Sequence, residues 1–435
     1  MGFRFLHAAD LHLDSPFTGL AAAAPVEVAE MLRDATFGSW RRIVDLAIEQ
    51  RVDFVLVAGD VFESANRTLL AQVRFRDGLV QLSDARIPSF VVTGNHDPLS
   101  GWEPSVAWPP LAYRFPAHEV TSVPVRRGGG EAEPELARIH GISFHVRDVT
   151  ENLALRFRSD PGAPFSIGLL HANVGSNPAH APYSPGSIDD LRAAGLDYWA
   201  LGHIHKPAIL SEGNPAIVYA GNSQGRDPIE ADARGCMLVS VRDDGVPRVE
   251  HRATDVVRWQ LIDLQIDSID GDEALIDAVA GAAAGARDTA GRSIIARVTL
   301  RGRGPLHESL RRPRYLEDLR ATAQERLGLG RPFAWLESIR DATRPVVDIA
   351  SLRGGSDFVG GLLREIEGAR AGLLDAARGG TQAPAGDELR MALEPLFERS
   401  RGRGILRDAA GDPANLVRLL DEAETLLVDR LTSEQ

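Results

Sequence analysis

Short apolar runs alternate with amphipathic stretches over the first hundred residues. FRFLHAA at 3–9, DFVLVAG at 53–59 and SFVVTG at 89–94 are the length of strands buried on both faces. Between them, residues 26–50 and 66–83 place apolar side chains at helical spacing. The pattern is βαβαβ, which predicts a parallel sheet. Residues 101–135 are rich in Pro, Trp and Gly and read as irregular loops, with RRGGGEAEPE as an insertion. Strand signals return at 137–145, 165–170, 197–201, 216–220, 235–242 and 246–252. The close spacing of the later ones predicts antiparallel strands or a second sheet stacked on the first. A boundary falls near 255. Beyond it WQLIDLQI, SIIARVTLR and PFAWLES read as strands separated by helices at 272–286 and 313–327, a compact α+β unit. After Pro345 the pattern is helical, with Gly-rich breaks at 354–361 and 379–386. Asp412-Pro413 reads as an N-cap followed by Pro at the first helical position. The helix that follows sets Leu416, Leu419, Leu420, Ala423, Leu427 and Leu431 on one face.

Length and composition change this picture little. At 435 residues and 44% hydrophobic the chain has material for two or three domains with real cores. No apolar stretch reaches membrane-spanning length, and the opening strand leaves no room for a secretory signal, so a cytoplasmic location is expected. The single Cys236 excludes an internal disulfide and fits a reducing compartment. Net charge is −13, which argues against a nucleic-acid partner until its distribution is read. From Arg292 to Arg320, eight arginines stand against Glu308, Glu317 and Asp318, a local balance of +5. Only Lys206 is lysine among 48 basic residues, so the preference for Arg carries no binding message of its own.

The chemistry sits at strand ends. Five of the apolar runs are followed by Asp10-x-His12, Gly59-Asp60, Gly94-Asn95-His96-Asp97, His171 and Gly202-His203-x-His205. In an open α/β sheet the loops at the carboxyl ends of the strands converge on one site. Carboxylate, amide oxygen and imidazole are ligands for divalent metals such as manganese, zinc or iron. Residues two apart at a strand end share a face, so Asp10 and His12 suit one ion. His203 and His205 have the same spacing and suit two neighbouring ions. Asp60, in a tight turn after Gly59, is the candidate bridge, Asn95 offers a neutral oxygen, and His171 completes the second ion. Two such ions clamp an in-line phosphoryl displacement. His96 stands beside a ligand and suits protonation of the leaving group, with Asp97 orienting it or a ligand imidazole. His7 reads as a packed core histidine. His118, His140, His145, His180, His251 and His307 have no motif context.

These segments resemble the calcineurin-like metallophosphoesterase superfamily, and within it the DNA-repair exonuclease branch of SbcD-type and YhaO-type proteins. HAADLHLDSPF and AGNSQGRDPIEADARGC are similar to the YhaO-type group in particular. The resemblance covers residues 1 to about 255. It implies a two-sheet α/β sandwich core over 1–255, and the α+β unit over 256–345 matches a small capping domain in layout alone. The helical C-terminal region over 346–435 is read from its own pattern, with partner binding as one reading of it. The resemblance assigns Asp10, His12, Asp60 and His205 to one metal and Asp60, Asn95, His171 and His203 to the other, with His96 catalytic and manganese the usual ion. An SMC-like coiled-coil ATPase is the implied partner, and a homodimer the implied assembly. GDVFES departs from the pattern by placing Glu63 where some members carry a second active-site histidine.

Three readings follow. The first is a metal-dependent DNA exonuclease acting in repair, with Arg301, Arg303, Arg311 and Arg312 of the capping unit holding the phosphate backbone. The second is a phosphodiesterase or phosphatase for small, cyclic nucleotides. The third is a weakly catalytic metal-bound subunit of a repair complex, whose helix at 413–431 docks on a partner coiled coil.

Overall fold

The computed structural model of the chain describes residues 2–17, 20, 24–63, 68–100, 106–130, 133–175, 181–377 and 413–432. Two six-stranded sheets form the core. The first has the order β12-β11-β1-β2-β3-β4, with β1 at Phe3–Ala8, β2 at Phe54–Ala58, β3 at Ser89–Val92, β4 at Ala112–Arg114, β11 at Gly235–Val241 and β12 at Pro247–Ala253. β1 to β4 are parallel, and β11 returns antiparallel to β1. The second has the order β5-β6-β7-β8-β10-β9, with β5 at Thr121–Arg126, β6 at Glu135–Gly141, β7 at Ser166–His171, β8 at Tyr198–Gly202, β9 at Ala208–Ser211 and β10 at Ala216–Tyr219. Its four middle strands are parallel and only its edges are antiparallel.

Alternation along each strand builds two layers of core. Phe5, Phe54, Leu56 and Phe90 of the first sheet meet Ile139, Ile167, Leu169 and Tyr198 of the second. Phe5 stacks on Phe54 at 4.9 Å between ring centroids and meets Tyr198 edge-on at 5.2 Å. Leu6, Val55, Val57 and Val91 point the other way, onto Trp40 and Ile43 of helix α1 (Val26–Glu49) and Phe75 and Leu79 of α2 (Leu69–Asp84). Each such side chain adds about 1.5–3 kcal/mol over leaving it exposed. Thr68 caps α2 by accepting from the Ala71 amide at 3.0 Å.

Two strands, β4 and β5, lie inside the segment whose composition reads as loop. β4 has three residues, and β5 is an edge strand with Pro124 in its middle, which its unpaired side tolerates. Neither leaves an apolar run to read.

The described residues divide into two compact units: Met1–Ile262 with Val279–Val298 and Arg320–Ile339, and Asp263–Ala278 with Thr299–Leu319 and Arg340–Gln435. A third sheet, β13 (Val257–Gln265), β14 (Ser293–Arg303) and β15 (Ala334–Arg344), contributes residues to each. In the first unit Trp259, Ile295, Phe333 and Trp335 pack with Val28 and Leu32 of α1. In the second, the helix Phe358–Ala377 packs on Pro413–Thr432 through Leu373, Leu416 and Leu420. Arg370 pairs with Asp421 at 2.6 Å and also with Glu424. The apolar stripe of the last helix is thus covered in part by its own unit, while Leu419 stays exposed. Asp412 and the break at 379–386 lie outside the described residues. No described helix is long and apolar enough to cross a membrane.

Candidate metal centre

All five strand-end segments meet at one rim. The carboxyl ends of β1, β2 and β3 in one sheet face those of β7 and β8 in the other. The β1 and β2 loops are laced together by the Asp10 amide on the Gly59 carbonyl and the His12 amide on the Asp60 carbonyl, both 3.0 Å. Close approach is built in at Gly202, where a Cβ would fall 1.8 Å from the Ala58 carbonyl oxygen. Four of the seven candidate ligands adopt positive φ: Asp10 (50°), His12 (42°), Asp60 (50°) and His203 (98°). A non-glycine backbone is held there at a cost of about 1–3 kcal/mol per residue. All seven are buried apart from the half-buried His205.

One half of the cluster is Asp10, His12 and His205, whose ligand atoms lie within 4.8 Å of one another. His12 Nε2 and His205 Nε2 are 3.1 Å apart. His205 Nδ1–H donates to Glu230 Oε1 at 2.5 Å, so the lone pair of a neutral His205 is turned toward His12. His12 Nδ1 lies 3.1 Å from Glu63 Oε2 without making a well-formed hydrogen bond. Whichever nitrogen of a neutral His12 carries the proton, a lone pair of that ring faces an acceptor. A second proton is disfavoured, since burial and then Arg226 push the His12 pKa down to about 3. A cation shared by Asp10, His12 and His205 resolves the conflict.

The other half repeats the logic. His171 donates Nδ1–H to the Ala58 carbonyl at 2.9 Å, and its Nε2 faces two oxygens, Asn95 Oδ1 at 3.0 Å and Asp60 Oδ2 at 3.4 Å. Burial opposes charge on His171, yet Asp60 and Asp10 raise its pKa to about 9, so the field there favours a positive charge. Burial alone would raise the Asp60 carboxyl, but His171 and His12 hold it well below the carboxylate range. Asp60 Oδ2 also lies 4.0 Å from His12 Nε2, which puts this carboxylate between the two halves. His203 donates its backbone N–H to both oxygens of Asp10 at 3.1 Å, and its Nε2–H goes to the Ala181 carbonyl at 3.0 Å. Its lone pair is therefore on Nδ1. Two sets of converging acceptors with a carboxylate between them fit a pair of divalent cations.

Three residues outside the ligand pattern shape the surroundings. Glu63 spans two imidazoles, with Oε1 on His96 Nδ1 and Oε2 beside His12 Nδ1. Arg226 lies 3.6 Å from Glu63 Oε2 and 3.9 Å from Glu230 Oε1, and its amide donates to Glu230 Oε2 at 2.8 Å. One guanidinium therefore ties together the carboxylate on His96, which also lies beside His12, and the carboxylate on His205. Burial opposes charge on His96, but Glu63 and Asp60 raise its pKa, so the ring holds its proton more readily than a free histidine. Asp97 sits elsewhere in the design. It accepts from the backbone amides of Gly94 at 2.7 Å and Val61 at 2.8 Å, stitching the loop after β3 to the turn after β2. The carboxylate at the His96 ring is that of Glu63. His7 is fully buried, between the Tyr198 hydroxyl at 3.1 Å and the Leu201 carbonyl at 3.2 Å.

The four candidate DNA-contacting arginines belong to the second unit, and two of them are engaged. Arg301 pairs with Asp263 at 2.9 Å, and Arg303 donates to the Pro345 carbonyl at 2.9 Å. Arg311 and Arg312 are exposed.

Comparison with known proteins gives the family. The family profile described as "Calcineurin-like phosphoesterase" matches residues 3–207, and "Metallophosphoesterase YhaO, middle domain" matches 259–344. The chain is 35% identical over 377 residues to "Uncharacterized metallophosphoesterase YhaO" of Bacillus subtilis, covering 86% of this chain and 89% of that one. It is 25% identical over 253 residues to the D subunit of the nuclease SbcCD from the same organism, covering 50% of this chain and 61% of that one. It is 24% identical over 277 residues to "DNA double-strand break repair protein Mre11" of Sulfurisphaera tokodaii, covering 61% and 66%. Among solved structures, a dimetal phosphatase from Danio rerio aligns at 13% identity with a TM-score of 0.35, over 58% of this chain and 96% of that one. With its strand-end cluster and an alignment running through both profiles, the chain belongs to the calcineurin-like metallophosphoesterase family and is a homologue of YhaO.

Proposed function

We propose that the protein is a metal-dependent phosphodiester hydrolase that cuts DNA, an exonuclease of the SbcD type serving DNA repair. The observation that carries the reading is the pair of converging acceptor sets with Asp60 between them. Asp10, His12, Asp60 and His205 would hold one ion, and Asp60, Asn95, His171 and His203 the other, with manganese the expected metal. Bound there, two divalent ions supply Lewis acidity toward a phosphodiester and lower the pKa of water. The protein's own part is positional and acid–base. Glu230 keeps the proton of His205 on Nδ1, which leaves its Nε2 lone pair for an ion. His96, kept protonated by Glu63, gives its proton to the leaving alkoxide. Asp97 holds the loop that carries Asn95 and His96 in place.

DNA as substrate is supported by the SbcCD and Mre11 relatives and by the exposed Arg311 and Arg312. The SbcCD relative is named as one subunit of a nuclease, which supports a partner protein, and the resemblance of the motifs makes that partner an SMC-like coiled-coil ATPase. The test is digestion of end-labelled linear duplex DNA with manganese, beside a cyclic mononucleotide. His96→Ala should slow cleavage by about 10²–10⁴-fold while leaving the bound manganese unchanged by metal analysis. Hydrolysis of the cyclic mononucleotide with intact DNA would replace the nuclease reading by the small-substrate one.

A further inference from the structure

The opposite rim of the first sheet carries a feature that phosphoester cleavage leaves unexplained. At the amino ends of β1, β2 and β3 lies an open cavity of about 740 Å³, within the size range of small-ligand sites. Five arginines line it: Arg4, Arg51, Arg86, Arg127 and Arg242. Among the described residues Asp53 is the one acidic residue on its wall, and its charge is already engaged. Arg127 Nε donates to Asp53 Oδ1 and the Arg4 amide to Asp53 Oδ2, both at 2.9 Å. Arg4, Arg51, Arg86 and Arg242 are exposed and form no ion pair with another described residue. Phe3, Val52 and Ile87 form an apolar floor between them. A concave wall with this excess of guanidinium groups is unexpected in a chain of net charge −13.

Two of these arginines hold backbone positions that favour glycine. α1 and α2 each end in a turn whose next residue is left-handed, and that residue is Arg51 (φ 49°) after α1 and Arg86 (φ 61°) after α2. The closing bonds match: the Arg51 and Val52 amides return to Ile48 and Ala47, and the Arg86 and Ile87 amides to Ser83 and Leu82. Glycine is the usual occupant because it carries no Cβ penalty there. A cation does complement the carboxyl end of a helix dipole, but any neighbouring position in the last turn would serve that purpose. The dipole also gives no reason for Arg4, Arg127 and Arg242 to line the same space.

We propose that this cavity is a second ligand site, separate from the metal centre, for a compact polyanion bearing two or more phosphates. Guanidinium groups pair with phosphate oxygens in bidentate fashion, and several on one concave wall suit adjacent phosphates. The cavity and the metal centre lie at opposite ends of the same strands, so the two are occupied independently.

The test is calorimetric titration of the full chain with inorganic triphosphate in the presence of EDTA. The expected result is saturable binding that weakens as salt rises, is unchanged in Asp60→Asn, and is at least tenfold weaker in the double variant Arg51→Gly, Arg86→Gly. Glycine relieves both left-handed positions, so the double variant should melt no lower than the parent chain. Absence of saturable binding in the parent, or equal affinity in the double variant, overturns the proposal. Tighter binding of a single-stranded dodecanucleotide than of triphosphate, abolished in the same variant, overturns it in favour of a nucleic-acid strand.

Discussion

The metal rim and the arginine run between 292 and 320 are both conspicuous in sequence, yet the fold treats them differently. At the rim, side chains from five strand ends converge, and their hydrogen bonds turn lone pairs inward. In the run, most of the charge is already committed. Arg292 pairs with Asp255 at 2.5 Å, Arg297 with Glu337 at 2.9 Å and Arg301 with Asp263 at 2.9 Å. Arg303 and Arg320 bond carbonyl oxygens of Pro345 and Leu336. Arg311, Arg312 and Arg314 are exposed. Charges that must hold a cation cannot be rearranged one by one, whereas a formal balance of +5 overstates what a polyanion meets once ion pairs within the fold are subtracted.

The comparison breaks most visibly at Asp60. Asp60→Asn keeps an oxygen for the His96 amide, which donates to Oδ1 at 2.8 Å, but removes the charge between the two acceptor sets. Phosphodiester hydrolysis should fall on the order of 10³-fold, and calorimetry should find fewer than two manganese sites. Near-parental activity would remove the bridging role. Glu63→Gln is the next test. It leaves the seven candidate ligands in place but weakens the hold on the His12 and His96 rings, so manganese affinity should drop by about 10–100-fold. Glu63→Asp should recover part of the loss; unchanged metal affinity in both variants would reduce Glu63 to a surface charge. The smallest effect is expected in the run. Arg311→Gln with Arg312→Gln should lower DNA affinity and flatten the dependence of log K on log salt by roughly 0.9 for each phosphate no longer neutralised. Arg301→Gln with Arg303→Gln should change the slope less, because Arg301, although exposed, is paired with Asp263 and Arg303 is bonded to the Pro345 carbonyl. The reverse ranking would mean that ion pairing inside the fold does not set which arginines face DNA.

Much of the site was legible because each ligand segment follows an apolar run, and strand ends in α/β sheets converge by topology. Glu63, Arg226 and Glu230 were not legible as a unit. Glu63 and Arg226 lie in loops, and Glu230 ends a single 3-10 turn at Pro228–Glu230. Glu63 is far from the other two along the chain, yet Arg226 reaches both carboxylates, at 3.6 and 3.9 Å. Asp97 shows the opposite error of emphasis. Its place beside His96 in sequence suggested service to that ring or to a ligand imidazole, and the carboxylate accepts from the Gly94 and Val61 amides. β5 was hidden for a local reason, since an edge strand broken by Pro124 has no apolar run to announce it.

By itself the sequence determined the alternation of strand and helix, the α/β class, and the inventory of oxygen and imidazole groups at the strand ends. These are local matters of side-chain period and residue type. The tertiary structure decided which nitrogens of His171, His203 and His205 donate to oxygen acceptors, which carboxylate stands between the two acceptor sets, and which arginines pair within the protein. It also brought Arg51 and Arg86, the residues after two separate helices, to one cavity. Those outcomes depend on distances between groups far apart in the chain, and only the packing of two sheets and their helices sets such distances.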